Sequence, residues 1–122
     1  MKLLLDTHTF LWWDDAKLPS RLVRRIRAAD EVWVSAASAW EVVIKAGLGK
    51  IRVTGVFGEA VSDYGFGELP IRFAHAELVR ALPLHHRDPF DRILVAQAIV
   101  EGMTIVTRDA LVAAYAVPTV WE

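Results

Sequence analysis

Short apolar runs alternate along the chain with longer segments whose apolar residues recur every three to four positions. The short runs, rich in leucine, valine and isoleucine, predict strands, and the longer segments predict helices. The predicted strands span residues 2–5, 31–34, 68–71, 103–107 and 118–121. The predicted helices span residues 19–29, 38–50, 55–65, 74–82, 88–101 and 109–115, the second of them ending near Gly47 or Gly49. Strands that alternate with helices indicate an α/β fold with a mostly parallel central sheet.

The predicted strands are apolar on consecutive residues rather than on every second one. Residues 3–5 are all leucine, and residues 103–107 read MTIVT. Strands of this kind have both faces buried, as in a parallel sheet that is covered by helices on each side.

The composition indicates one folded domain spanning residues 1–122. A chain of 122 residues is long enough for a hydrophobic core, and 54% of them are hydrophobic, which argues against disorder. The absence of cysteine excludes disulfides, thiolate zinc sites and cysteine nucleophiles. No apolar run approaches the roughly 20 residues that a membrane helix requires, and three leucines are too few for a signal peptide. We therefore expect a cytoplasmic protein with no membrane contact.

The charge balance neither indicates nor excludes nucleic acid as a partner. The net charge is −1, from 14 Lys and Arg against 15 Asp and Glu, whereas nucleic-acid-binding domains are often strongly basic. If four acids lay together in one site, the rest of the chain would carry 14 basic against 11 acidic residues. A nearly neutral chain is therefore compatible with an acidic pocket on a mildly basic surface.

Four acidic residues lie where an α/β fold places its functional groups. Asp6, Glu41 and Asp109 come soon after predicted strands, and Asp91 lies in the first turn of a predicted helix. The carboxyl ends of parallel strands share one edge of the sheet, where open α/β folds build their binding sites. Clustered carboxylates raise each other's pKa, and an all-oxygen set favours a hard cation such as Mg²⁺ or Mn²⁺. Such a site can bind phosphate oxygens and activate water for attack on a phosphodiester.

Two aspartates occupy the start of the helix predicted at residues 88–101. Asp88 followed by Pro89 is a strong helix-start signal, and a carboxylate at Asp91 would interact favourably with the helix dipole. The residues that share a helical face with Asp91 are Leu94, Val95 and Ala98. Because a carboxylate at the head of an apolar stripe points inward, we assign Asp91 to the metal site. Asp88 is assigned first to the helix cap and second to support of the site.

The other three acids also have a structural interpretation. Ser38 and Glu41 match the capping-box pattern S-x-x-E, in which the glutamate accepts a hydrogen bond from the cap residue's own backbone. Asp6 could cap a turn through DTHT, and Asp109 could cap the helix that follows it. Capping and metal binding both remain open for each of these residues.

Four segments together resemble the PIN-domain family and, within it, the VapC-type toxins of bacterial toxin–antitoxin pairs. They read LLLDTHTFLWW, VSAASAWEVVIKAGLGK, HRDPFDRILVAQA and IVTRDALVAAY, and the resemblance runs from Leu3 to Trp121. Each motif is weak alone, but their order and spacing are specific. The resemblance implies a three-layer α/β/α sandwich, an acid cluster that binds Mg²⁺ or Mn²⁺, and ribonuclease activity neutralised by a cognate antitoxin. It also implies a homodimer.

The resemblance assigns individual residues to the site. The metal-binding and catalytic acids would be Asp6, Glu41, Asp91 and Asp109. Thr7 and Thr107 match small hydroxyl residues that support the metal or the water, and Asp88 could displace or assist Asp91. The implied reaction is hydrolysis of a phosphodiester in tRNA, rRNA or mRNA. The three aspartates would hold the metal and orient a water, with Glu41 acting as a ligand or as a base.

Three further residues are candidates for contacting RNA or the antitoxin. Arg92 and Arg108 adjoin proposed ligands, although each could instead pair with a neighbouring carboxylate. Trp12 is adjacent to Trp13, and because the two cannot point the same way, one of them offers an exposed aromatic surface. The four histidines lack a convincing metal-ligand spacing, and His86 with its neighbour is interpreted as loop.

Other functions are excluded or remain open. A haloacid-dehalogenase-type phosphatase needs a second aspartate two residues after the first, and His8 stands at that position, which excludes this class. A nuclease acting on DNA or structured nucleic acid remains open, because the same acids serve either substrate. A non-catalytic PIN-fold module that binds RNA or an antitoxin is also open, although the presence of all four acids argues against it.

Overall fold

A computed structural model of the protein describes residues 1–121 and contains five strands and seven helices over that range. The strands are β1 (Lys2–Leu5), β2 (Glu31–Ser35), β3 (Gly67–Leu69), β4 (Thr104–Val106) and β5 (Thr119–Val120). The helices are α1 (Thr7–Asp14), α2 (Ser20–Ala28), α3 (Ala36–Gly47), α4 (Phe57–Asp63), α5 (Phe73–Val79), α6 (Pro89–Glu101) and α7 (Ala110–Ala113). The alternation of strands and helices that the hydrophobic pattern predicts is therefore confirmed.

The five strands form one sheet in the order β3-β2-β1-β4-β5, and every neighbouring pair is parallel. β1 is central, with Leu3 paired to Val32 of β2 on one side and to Thr104 of β4 on the other. The leucines of β1 are completely buried, as the continuous apolar run predicts.

Two hydrophobic clusters cover the two faces of the sheet. Leu3 and Leu5 belong to one cluster, together with residues of α1, α2 and α4, and Leu4 belongs to the other, together with residues of α6 and α7. Successive side chains of a strand point to opposite faces, so an unbroken LLL run supplies both cores. The result is the three-layer α/β/α sandwich that was expected.

The strand order reverses at the boundary between β1 and β4. The chain moves from β1 outward to β2 and β3, then crosses back over the sheet through α5 and α6 to reach β4 and β5. The crevice at the carboxyl ends of the strands beside such a reversal is where open α/β folds bind ligands. Asp6 directly follows β1, and Asp109 lies three residues after β4, so both lie at this crevice.

The helix α1 was not predicted, since residues 6–9 were expected to form only a turn. Its sequence THTFLWWD has four consecutive apolar residues and no regular 3.6-residue pattern. Phe10 is buried in the core, whereas Trp12 and Trp13 are only partly buried and lie against different neighbours. Apolar residues therefore surround this helix, which hides the amphipathic signal.

The start of α3 corrects a second expectation. The N-cap is Ser35, whose hydroxyl accepts a hydrogen bond from Ala37 N at 3.0 Å, and not Ser38. Glu41 lies in the second turn, so the predicted capping box is absent. Ser35 also donates to Gln97 Oε1 of α6 at 2.6 Å, which connects the start of α3 to the core of the molecule.

Smaller differences concern element ends. The helix predicted at residues 74–82 begins at Phe73 and ends at Val79, because the carbonyls that follow it bond to a side chain of α6. The strand predicted at residues 68–71 ends at Leu69, before Pro70, which has no N–H for the ladder. Among residues 1–121, none of the helices has the length and hydropathy needed to cross a membrane.

Candidate metal centre

Three aspartates from distant parts of the chain line one cavity at the crevice beside β1 and β4. The cavity has a volume of about 200 Å³, and its walls are formed by Asp6, His8, Trp12, Asp91, Arg108 and Asp109. The fold thus brings together the three aspartates that were proposed as metal ligands.

Asp6 and Asp109 act as helix caps and also face the cavity. Asp6 Oδ1 accepts a hydrogen bond from Thr9 N at 2.9 Å and caps α1, and Asp109 Oδ1 accepts one from Leu111 N at 2.8 Å and caps α7. Each cap uses one carboxylate oxygen. The second oxygen of Asp6 is free of its cap, and the second oxygen of Asp109 accepts a hydrogen bond from His86 and keeps a further lone pair. Capping and ligand binding are therefore compatible in the same residue.

The two aspartates at the start of α6 have separate positions. Asp88 is the N-cap, and its Oδ1 accepts hydrogen bonds from Phe90 N at 2.8 Å and from Asp91 N at 3.4 Å. Pro89 occupies the first turn, as the helix-start signal predicts. Asp91 makes no capping bond and instead faces the cavity.

Glu41 does not line this cavity, although its charge acts on Asp91, and it is almost completely buried, with 3% of its surface exposed. Its Oε1 accepts a hydrogen bond from the Thr7 hydroxyl at 2.7 Å, and its Oε2 accepts one from Lys45 Nζ at 2.5 Å. The hydrogen bond to Glu41 raises the pKa of Lys45 above its ordinary value. The ion pair offsets the charge of a carboxylate that burial would otherwise penalise.

Both predicted supporting threonines are buried and contact the site. The Thr7 hydroxyl also lies 2.9 Å from Ser38 Oγ, so it connects α1 to α3. Thr107 Oγ1 accepts a hydrogen bond from Asp109 N at 3.0 Å, which holds the backbone at the start of α7. Their contacts orient Glu41 and Asp109.

His86 joins two of the aspartates and was not predicted to do so. Its Nε2 donates to Asp109 Oδ2 at 2.9 Å and lies 3.0 Å from Asp91 Oδ2. Its Nδ1 accepts a hydrogen bond from the backbone N–H of Asp88 at 3.1 Å. Because Nδ1 is an acceptor, the proton of the neutral imidazole is assigned to Nε2. His86 therefore holds the two carboxylates together as a donor.

The spacing of His86, Asp91 and Asp109 is also that of a metal-ligand group, with one donor atom from each within 4.8 Å of the others. A protonated Nε2 has no lone pair for a metal, however. If the proton were on Nδ1 instead, the Nδ1–H would face the backbone N–H of Asp88, and two donors would oppose each other. We therefore assign the ligand role to the carboxylates and an orienting role to His86.

Asp91 is the most perturbed acid of the cavity. Burial, followed by the negative charge of Asp88 and smaller effects of Asp6 and Glu41, raises its pKa to about 7 against an opposing effect of His86. A divalent cation would reverse this penalty and hold the carboxylate ionised. The carboxylate oxygens are hard donors of the kind that Mg²⁺ and Mn²⁺ prefer, so the donor set fits such an ion.

The three residues predicted to contact RNA or a partner have different environments. Trp12 and Arg108 line the cavity. Arg92 instead donates to the carbonyls of Val79, Leu82, Pro83 and His86 and to the Tyr115 hydroxyl. Arg92 thus holds the connection between α5 and α6, and its guanidinium is committed to the protein's own backbone.

His8, Lys45 and His86 are site residues that were not predicted from the sequence, and His8 lines the cavity itself. Lys45 had a readable signal, because it follows Glu41 by four positions on one helix. His86 had none, since its partner Asp109 lies 23 positions away and the loop that carries it has no regular pattern. Only the folded chain brings that histidine to the acids.

Solved structures with the same fold include proteins of toxin–antitoxin systems. VapBC2 from Rickettsia felis, bound to a promoter DNA fragment, aligns over 100% of both chains with a TM-score of 0.71 and 12% identity. FitAcB from Neisseria gonorrhoeae aligns over 96% of this chain and 95% of its own, with a TM-score of 0.67 and 20% identity. A toxin–antitoxin complex from Klebsiella pneumoniae aligns over 97% and 95%, with a TM-score of 0.66 and 18% identity. Because these sequence identities are low, the structural similarity establishes the fold alone.

Sequence comparisons show to which family the chain belongs. Curated protein sequences give no match to this chain. The model of the PIN domain family, by contrast, matches residues 3–117, which include Asp6, Glu41, Asp91 and Asp109. The match covers nearly the whole chain, and the chain therefore belongs to the PIN-domain family.

Proposed function

We propose that this protein is an endoribonuclease that depends on Mg²⁺ or Mn²⁺ and serves as the toxin of a toxin–antitoxin pair. The observation that carries the proposal is the convergence of Asp6, Asp91 and Asp109 on one cavity of a PIN domain, with the charge of Glu41 close enough to act on Asp91. Burial and the charges of neighbouring acids raise the pKa of Asp91 to about 7, and a carboxylate perturbed in this way is poorly suited to a purely structural role.

The metal would be held by Asp6, Asp91 and Asp109. When bound, the ion would neutralise charge on a phosphate and lower the pKa of a water molecule for attack on phosphorus. The chain's own residues prepare this site: the α1 and α7 caps fix Asp6 and Asp109, and His86 holds Asp109 close to Asp91.

Glu41 is the fourth acid of the proposed site. Thr7 and Lys45 each use one lone pair of its carboxylate, and the remaining lone pairs can accept a hydrogen bond from an attacking water. Lys45 offsets the charge of Glu41, and the hydrogen bond between the two raises the pKa of Lys45, so Lys45 remains a cation beside the acids. A cation there also attracts a phosphate.

The proposed partner is a cognate antitoxin. The solved structures with this fold include toxin–antitoxin complexes, and α3 carries an exposed apolar face. Trp40, Val43 and Leu48 are 62%, 65% and 65% exposed, and Trp40 contacts Phe90 of α6 with ring centroids 5.6 Å apart. Contiguous exposed apolar residues mark protein-binding surfaces. We place the protein in the cytoplasm as one domain spanning residues 1–122 that forms a homodimer.

The nuclease proposal is tested by incubating the purified protein with tRNA, rRNA, mRNA and duplex DNA in Mg²⁺, Mn²⁺ or EDTA. We expect RNA cleavage that requires the metal and that disappears in Asp91→Asn. Cleavage in EDTA, or no cleavage across the RNA panel, would contradict the proposal. Cleavage of DNA but not of RNA would show that the substrate is DNA.

We expect a small reading frame directly upstream of the gene to encode the antitoxin, and co-expression of the two proteins tests the toxin proposal. We expect the partner to co-purify with the chain and to inhibit cleavage. Val43→Glu should weaken this complex and leave metal-dependent cleavage intact, because its side chain points to solvent on α3. If Val43→Glu bound the antitoxin as tightly as the wild-type protein does, α3 would not be part of the interface.

A further inference from the structure

A wall of aromatic and cationic side chains flanks the cavity that holds Asp6, Asp91 and Asp109. This wall, called here the Trp12 wall, consists of His8 and Trp12 on α1, Arg108 after β4 and Trp121 after β5. His8, Trp12 and Arg108 line the cavity directly. None of these four side chains takes part in the acid cluster described above.

The contacts within the Trp12 wall hold the Trp12 ring in one orientation. Trp121 meets it edge to face, with ring centroids 5.9 Å apart and an interplanar angle of 74°. The Arg108 guanidinium carbon lies 4.8 Å from the centroid of Trp12 and 5.8 Å from that of Trp121. Such cation–π and edge-to-face contacts stabilise a flat apolar surface beside a positive charge.

The position of Trp12 follows from the helix that carries it. α1 begins directly after Asp6, and His8 and Trp12 lie four positions apart on one face, with ring centroids 5.8 Å apart. The same helix start therefore places a proposed metal ligand and the aromatic ring at one cavity. Any group bound by the acids lies next to this ring.

The chemistry of the Trp12 wall fits a nucleotide. Nucleic-acid bases stack on aromatic rings, and arginine neutralises phosphate. The cavity volume of about 200 Å³ suits a single planar group rather than a peptide helix, which favours a nucleotide over a protein segment. The exposed apolar face of α3 is the better protein-binding surface.

We propose that Trp12 and Arg108 form a nucleotide subsite, in which an unpaired base beside the scissile phosphate stacks on Trp12 and Arg108 contacts a phosphate. The proposal rests on the proposed nuclease function. Bases inside a duplex already stack on their neighbours, so the subsite selects a nucleotide that is single-stranded or splayed out.

The subsite is tested by binding rather than by cleavage. The dissociation constant of a fluorescein-labelled single-stranded oligoribonucleotide is measured by fluorescence anisotropy in EDTA, with Asp91→Asn as the parent protein. We expect Trp12→Leu to weaken binding about tenfold, the loss of one base stack, and to change duplex binding little. The control Phe73→Leu removes an aromatic ring that is 87% exposed on α5 and should bind like the parent.

A double-mutant cycle separates stacking from a change in fold. A series of oligonucleotides, each with one abasic position, is compared with the intact one. At one position, loss of the base should weaken binding to the parent about tenfold and leave binding to Trp12→Leu unchanged. If the two losses instead add at every position, the ring and the base do not touch, and the proposal is overturned.

Arg108→Gln tests the phosphate contact. The slope of the logarithm of affinity against the logarithm of salt concentration should fall in magnitude by about 0.7, the value for one phosphate contact on a single strand. An unchanged slope would overturn the role of Arg108. Circular dichroism and thermal unfolding of each variant confirm that the fold is kept.

The outcomes distinguish this subsite from the proposed function. If Trp12→Leu binds RNA like its parent while the wild-type protein still cleaves RNA, the subsite is wrong and the nuclease proposal stands. If the wild-type protein cleaves nothing but Trp12→Leu loses RNA binding, the nuclease proposal is wrong and the subsite stands. If Trp12→Leu loses antitoxin binding but keeps RNA binding, the Trp12 wall is a protein-binding surface, and the subsite is overturned.

Discussion

A carboxylate has two oxygens, and at this site the two oxygens often serve different purposes. Asp6 and Asp109 each use one oxygen to cap a helix and keep the other toward the cavity. Asp88 and Asp91 divide the same tasks between two residues, since Asp88 caps α6 and Asp91 faces the cavity. A substitution by asparagine retains a capping oxygen but removes a negative charge, so it separates the two roles.

The first prediction compares Asp88 with Asp91. Asp91→Asn should abolish metal-dependent RNA cleavage in a protein that remains folded, because its carboxylate makes no cap. Asp88→Asn should retain most of the stability, whereas Asp88→Ala should lower the free energy of unfolding by about 1 kcal/mol through loss of the cap. Cleavage assays and urea denaturation measure both effects. Loss of activity in Asp88→Asn with full activity in Asp91→Asn would reverse the assignment.

The second prediction concerns pH in the absence of metal. The pKa of Asp91 is about 7 in the folded protein and near its ordinary value of 3.8 in the unfolded chain. Between these values the folded state binds more protons, so the contribution of Asp91 to the free energy of unfolding falls as pH rises from about 4 to about 7. Urea denaturation in EDTA should reveal this slope in the wild type and a smaller slope in Asp91→Asn. Parallel curves for the two proteins would contradict it.

At the scale of elements, the connection between α5 and α6 positions the site. Arg92 donates to four carbonyls of residues 79–86, and the Tyr115 hydroxyl accepts a hydrogen bond from His86 N. His86 in turn contacts Asp91 and Asp109. A loop without regular structure thereby acquires the fixed geometry that an orienting histidine needs.

The third prediction is that Arg92→Lys weakens this connection. A lysine cannot reproduce the two-sided fork of a guanidinium, so several carbonyls lose their donor. We expect the free energy of unfolding to fall by about 2 kcal/mol and RNA cleavage to slow as His86 loses its support. The matched control is Arg87→Lys, because Arg87 lies exposed in the same connection. Equal stability of the two variants would show that the Arg92 contacts contribute little.

At the scale of the whole molecule, the site depends on the winding of the sheet. The reversal of strand order beside β1 places the ends of β1 and β4 at one crevice. The helix α6, which packs on the opposite face of the sheet from α1, contributes Asp91 to this crevice. The cavity therefore draws its acids from the beginning of the sequence and from its last third. A ligand bound there contacts parts of the chain that separate on unfolding, so binding and folding are coupled.

The fourth prediction follows from this coupling. Mg²⁺ or Mn²⁺ should raise the melting temperature of the wild-type protein, since the ion binds the folded cluster and offsets the burial and the like charges that raise the pKa of Asp91. EDTA should reverse the shift, and NaCl at equal ionic strength should not reproduce it. Asp6→Asn combined with Asp91→Asn should remove most of the response. A melting temperature that neither metal changes would contradict the metal site.

Several features were readable from local patterns because their physical causes are local. Asp88 and Pro89 start a helix through contacts within one turn, and LLL forms a doubly buried strand because of its own apolarity. The acids after β1, β2 and β4 were recognisable as a set because parallel strands share one edge. The motifs themselves were sufficient to indicate the PIN-domain family, which the family match confirmed.

Other features arise from packing between distant segments and have no local pattern. α1 was missed because apolar residues lie on more than one of its sides, and the capping box at Ser38 was wrong because Ser35 caps α3 instead. The contact of His86 with Asp109 likewise exists only after folding. The sequence alone determined the fold class and singled out the three aspartates that line the cavity, because periodicity indicates the first and strand-end and helix-start positions mark the second. Only tertiary structure decided the orientation of those acids, since their neighbours come from elements far apart in the chain.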